Sequence, residues 1–241
     1  MLETRIFGLM MDKIIQANKE GIKPVIILDE FQYLKDIYVD QEKEVLLIEE
    51  LYKFFIALTK QNNLAHVVCL TSDSYFMEEL YIDTKLKNTS KFQLINHLSR
   101  EDVQDWLVNK EKCSEKMFED IWEHLGGSVW EIWQVLMEHK NGYDYKIRMK
   151  DLIQTDFGVM AEYANNKLDT SLEADFLRIT KILAMKGEYS IPYGEQIHKL
   201  LKDLVASDLW FLNTKTQTIV PNSKSTQKAM EMFTTWSRSK K

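Results

Sequence analysis

Two short unbroken apolar runs, Val25-Ile26-Ile27-Leu28 and Val67-Val68-Cys69-Leu70, each give way abruptly to polar residues and constrain the fold more than anything else in the chain. A half-exposed strand alternates apolar with polar positions, whereas a run without alternation is the profile of a strand covered on both faces, as in a parallel sheet flanked by helices. Ile6, Met10, Ile14 and Ala17 precede the first run at helical spacing, and their pattern stops at Gly21, just before Pro24. Between the runs, Val45, Leu46, Ile48, Leu51, Tyr52, Phe55, Ile56 and Leu58 repeat as a second helix. A helix over residues 75–81 and a third strand, Phe92-Gln93-Leu94-Ile95-Asn96, extend the βαβ alternation. His66 and Cys69 are expected to lie in the core of the second strand rather than to ligate anything.

Beyond the third strand the character changes. Ser99-Arg100-Glu101-Asp102 has the spacing of a capping box, Ser114 is placed to cap the next helix, and Gly126-Gly127 separates that helix from one over Val129–His139. Asn141-Gly142 breaks the pattern before a helical stretch from Arg148 to Asn166. The last part reads as a helix over 172–186, a helix over 195–207, two strand-like runs at Leu209–Asn213 and Gln217–Pro221, and a final helix from Ser225, the order of a winged helix. The expectation is an α/β chain in three parts: a partial parallel-sheet core over 1–98, a helical lid over 99–168 and a winged-helix domain over 169–241.

Composition narrows the function classes. With 8 Gly, 3 Pro and 45% apolar residues the chain is globular, with short loops. A net charge of −6 argues against a molecule covered in nucleic-acid contacts, although from Leu172 onward 11 Lys and Arg face 7 Asp and Glu. Two cysteines and five histidines fall in no metal-ligand spacing, and two isolated cysteines fit a reducing cytoplasm. No apolar run approaches the roughly 18 residues a membrane helix needs.

The chemistry sits at the ends of the two runs. V-I-I-L-D-E-F has the form of a Walker B motif: an aliphatic strand delivers Asp29 to hold Mg²⁺, directly or through water, and Glu30 to polarise the water that attacks a γ-phosphate. Two acids are needed because the metal occupies one and the base must stay clear of it. Any parallel strand can also end in acids simply because the sheet surfaces there. The neighbouring run ends in Thr71-Ser72-Asp73-Ser74, where a hydroxyl could sense the γ-phosphate or the attacking water, or where the cluster could simply cap a helix.

With KPVIILDEFQYLKDIYV, HVVCLTSDSYFMEELY and LWFLNTKTQTIVPNSKSTQKAM in view, the chain resembles the archaeal ATPase family within the AAA+/STAND-like P-loop proteins, over nearly its whole length. The resemblance implies an ASCE-type nucleotide-binding core, a helical lid and a winged helix, with Pro221-Asn222-Ser223 similar to the family's C-terminal signature. It implies ATP and Mg²⁺ as ligands, Asp29 as the metal acid, Glu30 as the catalytic base and Thr71 or Ser72 as the sensor. It also implies a protein partner or DNA at the winged helix, where Lys199, Lys202, Lys224, Lys228 and the Arg238-Ser239-Lys240-Lys241 tail carry positive charge and Glu195 and Asp203 oppose it.

Three features depart from the family pattern. The sequence holds no G-x-x-x-x-G-K-[ST], so any ATP chemistry is conditional on a phosphate-binding loop outside these residues. Asn88-Thr89 stands where the family often has Gly-Arg before its last strand, leaving Lys87 or Lys91 as poor substitutes for a bidentate guanidinium. Ser128-Val129-Trp130, not a proline turn, follows the paired glycines. In the family's sheet the phosphate-loop strand lies between those matching Phe92–Asn96 and His66–Thr71, so its absence is expected to leave two edges unpaired and points to the downstream part of a longer protein. The rival reading is a degenerate, non-catalytic interaction module that keeps the scaffold and binds no nucleotide. Trp106, Trp122, Trp130, Trp133, Trp210 and Trp236 are expected mostly in the core.

Overall fold

The computed structural model describes residues 2–40, 44–77, 90–195 and 197–239, which form two compact units, Met1–Phe92 and Gln93–Lys241. The first unit contains helix α1 (Leu2–Lys19), strands β1 (Val25–Leu28), β2 (Tyr38–Asp40) and β3 (Val45–Leu46), helix α2 (Leu47–Ile56) and strand β4 (His66–Cys69). Strands β1 and β4 pair in parallel, with Val25 opposite His66 and Leu28 opposite Cys69. Their inward residues Ile26, Leu28 and Val67 pack on a core of Ile14, Phe31, Leu51, Phe55, Leu58 and Phe76. Helix α2 opens out into a π-helical turn at Ala57–Gln61, whose end is held by Leu64 N donating to Leu58 O at 2.7 Å.

Several expectations are corrected here. The strands are not covered on both faces within this unit: Val25 is 56% and Ile27 64% exposed, and His66, Val68 and Cys69 also face outward rather than into the core. An apolar run records only that a strand can be buried; what covers it is decided elsewhere. Residues 92–96 form no strand, because a strand exists through its ladder and no partner pairs with them among the described residues. Val45 and Leu46 leave the second helix to pair with Tyr38–Asp40 in a small antiparallel ribbon that periodicity did not reveal. The helix expected over 75–81 is present at residues 74–77, and its remainder, with Lys87, Asn88 and Thr89, lies outside the described residues.

The second unit starts with short helix α3 (Arg100–Gln104), followed by α4 (Glu115–Leu125), α5 (Val129–Lys140) and α6 (Tyr145–Glu162). Both expected caps form: Ser99 Oγ accepts from Asp102 N at 3.1 Å, and Ser114 Oγ accepts from Met117 N at 3.2 Å. Val103, Leu107, Phe118, Ile121, Ile132 and Leu136 are fully buried between these helices. Gly126 and Gly127 serve close packing: a Cβ on Gly127 would stand 2.0 Å from Leu98 O, and Gly127 O accepts from Leu98 N at 3.0 Å.

The unit continues through α7 (Glu173–Lys186), the two-residue strand β5 (Tyr189–Ser190), α8 (His198–Ala206), strands β6 (Trp210–Asn213) and β7 (Thr218–Pro221), and α9 (Lys224–Ser239). The three strands form an antiparallel sheet in the order β5-β7-β6. Helix α9 lies against α6 and α7, where the Phe233 ring meets Phe176 at 5.6 Å and Trp236 at 5.4 Å. Of the tryptophans, Trp210 is fully buried, but Trp130 and Trp133, 66% and 43% exposed, stack on each other outside the core. Glu195 precedes α8 rather than riding on it, and pairs with Arg178 and Tyr189.

A polar cluster joins the start of α9 to the helices beneath. Ser225 Oγ donates to Glu131 Oε1 at 2.5 Å and lies 3.2 Å from Asp156 Oδ2, to which Thr226 Oγ1 donates at 2.8 Å. Burial raises the pKa of both carboxyls from their ordinary values, against the pull of these hydrogen bonds. A folded pKa above the unfolded one means that the native unit holds the proton more tightly. The stability these groups contribute is therefore complete below their unfolded values, about 4, and is lost as pH rises through the folded ones. Urea midpoints measured upward from about pH 4 should fall less steeply in Glu131→Gln than in the wild type, and equal slopes would contradict this assignment.

Candidate active site

Hydrogen bonding between the strands continues past their ends: Leu70 N donates to Leu28 O at 2.8 Å and Phe31 N to Leu70 O at 2.9 Å. This parallel register sets Asp29-Glu30 level with Leu70-Thr71, with Ser72 one residue beyond. Glu30 takes a left-handed backbone, φ 50° and ψ 44°, an uncommon conformation for a side-chain-bearing residue that costs on the order of 1 kcal/mol or more. The next residue holds this reversal in place. Phe31 is 1% exposed and lies edge-on to Tyr52 at 5.7 Å and Phe76 at 6.2 Å, opening a single 3₁₀ turn, Phe31–Leu34. With Phe31 pinned inward, the polar residues on either side stay at the strand tips.

Asp29 is exposed, and its Oδ1 accepts from Glu30 N at 2.9 Å. Glu30 Oε2 accepts from Ser72 Oγ at 3.3 Å and from Gln32 Nε2 at 2.5 Å. Thr71 Oγ1 donates to Gln32 Oε1 at 2.5 Å and accepts from Asp73 N at 3.1 Å. Asp73 in turn caps the helical residues 74–77, its Oδ1 accepting from Phe76 N at 2.9 Å. The four residues singled out in the sequence, Asp29, Glu30, Thr71 and Ser72, therefore gather at one place. Ser72 meets Glu30 directly, and Thr71 reaches it only through Gln32. The capping use that the sequence also allowed for this cluster is taken by Asp73. Gln32 was missed; its signal was a polar residue two places past Glu30, between the core residues Phe31 and Leu34.

The donor set can be tested against the ligands that such a site implies. Mg²⁺ in phosphate sites takes one or two carboxylates and completes its octahedron with water and phosphate oxygens. One exposed Asp29 carboxylate suits that demand, and no larger metal-binding group of His, Cys, Asp and Glu stands among the described residues. The adjacent glycines of the sequence, Gly126-Gly127, form no phosphate cradle: they are engaged against Lys224 and Leu98 in the second unit.

At the opposite end of the chain, positive charge is partly neutralised: Lys199 Nζ lies 3.4 Å from Asp169 Oδ2, and Lys228 Nζ 3.8 Å from Glu123 Oε1. Lys240 and Lys241, and the side chain of Arg238, lie outside the described residues. Among the described residues no helix is long and apolar enough to cross a membrane.

A family model described as an ATPase domain predominantly from Archaea matches residues 4–135. A protein of Methanocaldococcus jannaschii named as ATP-binding is 30% identical over 222 residues, covering 90% of this chain and 62% of the relative. A second protein so named in that organism is 30% identical over 223 residues, 90% of this chain and 64% of the relative. A third is 35% identical over 153 residues, 63% of this chain and 42% of its own length. The chain thus spans less than two thirds of the length of the relatives it matches.

Proposed function

Because the chain belongs to the family of ATPase domains found predominantly in Archaea, we propose that it carries the hydrolytic side of a Mg²⁺-dependent ATPase of AAA+/STAND type. Asp29 would hold the Mg²⁺, which when bound would supply charge neutralisation to the phosphates. Glu30 is the catalytic base that orients and deprotonates the attacking water, and Ser72, with Thr71 behind it, senses the γ-phosphate. The observation that carries this reading is the meeting of Ser72 Oγ and Glu30 Oε2 at 3.3 Å across 42 residues of sequence, at the ends of two parallel strands. The ATP-binding names of the relatives support it.

The reading requires a phosphate-binding loop, for which these 241 residues hold no G-x-x-x-x-G-K-[ST]; Val25, Ile27 and Val68 on the outer face of the parallel strands are apolar and exposed. Residues 1–98 are the ATPase core, 99–168 the lid and 169–241 a winged helix that couples nucleotide state to a partner, protein or DNA. The three-stranded antiparallel order with α8 inserted before the hairpin supports the winged-helix reading. Two free cysteines, Cys69 and Cys113, suit a reducing cytoplasm.

The test is to supply a strand and G-x-x-x-x-G-K-[ST] loop, in cis by fusion or in trans, and to follow Mg·ATP binding and phosphate release. Asp29→Asn should lower turnover about 10²-fold or more, the several kcal/mol that metal charge stabilisation supplies. A completed protein that neither binds nor hydrolyses Mg·ATP would sink the proposal and leave the non-catalytic interaction module in its place.

A further inference from the structure

We infer that Gln32 is a positioning residue that sets the orientation of the Glu30 carboxylate by tying it to the tip of the neighbouring strand. The inference rests on the reading of Glu30 as the base, and its support is a single side chain bonded in two directions. Its Nε2 donates to Glu30 Oε2 at 2.5 Å and to Ser72 Oγ at 3.3 Å, and its Oε1 accepts from Thr71 Oγ1 at 2.5 Å, 39 residues away in sequence. The polarity of the amide is dictated by its neighbours, since an ionised carboxylate can only accept.

The chain of support leads back to the core. Phe76 is buried and its backbone N–H holds Asp73, Asp73 N holds Thr71 Oγ1, Thr71 holds Gln32, and Gln32 holds Glu30. Phe31, between Glu30 and Gln32, keeps both from turning inward. With Oε2 engaged by two donors, Oε1 accepts no hydrogen bond among the described residues and is the oxygen left to meet a water. An amide suits this task where a charged residue does not. Lysine or arginine would neutralise the base, a second carboxylate would repel it, and glutamine orients it without changing its charge.

Two measurements test the assignment. In the 241-residue chain without nucleotide, the side-chain amide signals of Gln32 in a ¹H–¹⁵N spectrum should shift in both Glu30→Ala and Thr71→Val, because each removes one of its partners. Signals that move in neither variant overturn the tie, whatever the enzyme does. In the protein completed with a phosphate loop, Gln32→Ala should lower kcat about 10–100-fold, the scale of a misoriented catalytic group, with KM for ATP within about twofold. An unchanged kcat in Gln32→Ala, with Glu30→Gln still inactivating, overturns the role of Gln32 alone. If Glu30→Gln leaves turnover intact, the reading of Glu30 fails and the positioning role falls with it.

Discussion

Replacing Glu30 by Gln in the completed enzyme is expected to lower kcat by about 10²–10⁴-fold, the range that a positioned general base contributes. The substitution is nearly isosteric, and its amide oxygen can still accept from Gln32 and Ser72, the two donors that hold Glu30 Oε2. The left-handed backbone at residue 30 is held by the burial of Phe31 and not by the charge of the side chain. Stability should therefore change by no more than about 0.5 kcal/mol, as for surface substitutions away from special features. ATP should still bind, because the metal acid and the phosphate loop are untouched. Single-turnover and steady-state phosphate release, read beside ATP binding, separate these effects. A variant that binds and hydrolyses ATP like the parent would remove Glu30 from the chemistry.

The second large effect is structural. Phe31→Ala is expected to destabilise the first unit by about 3–5 kcal/mol, the usual cost of emptying a buried aromatic site. The ring is 1% exposed and touches Tyr52, Phe55 and Phe76, so one deletion removes contacts to α2 and to the residues just past β4. It also releases the pin that keeps Glu30 and Gln32 at the strand tips, and catalysis in the completed enzyme should fall with stability. All six tryptophans lie in residues 93–241 and report on the second unit. The measurement of choice is therefore amide exchange at residues 25–28 and 66–69. A loss of protection worth less than about 1 kcal/mol would mean that the site is held by something other than the Phe31 core.

The two substitutions separate what the site does from what holds it, and Gln32 stands between them. A polar side chain just after the core residue Phe31 is visible in the sequence, but its meaning depends on Thr71 and Ser72 arriving 39 and 40 residues later in the chain. Composition and periodicity carry no information about such a meeting. The same limit applies to the tryptophans: helical spacing puts Trp130 and Trp133 on one side of α5, but only the packing of neighbouring helices decides whether that side is covered.

What the sequence determined by itself was local: two apolar runs able to become strands, an acid pair at the end of the first, hydroxyls at the end of the second, and caps at Ser99 and Ser114. These depend on steric preference, side-chain period and hydrogen bonds that close within a few residues. The tertiary structure decided everything that needs a distant partner. It set the register that brings Asp29 and Glu30 to the same strand end as Thr71 and Ser72, withheld a ladder from residues 92–96, and recruited Val45 and Leu46 into a ribbon. It also left one face of the parallel strands open. The physical reason is common to all four: a ladder and a covered face are made jointly by segments far apart in the chain, and each segment alone records only that it is able to take part.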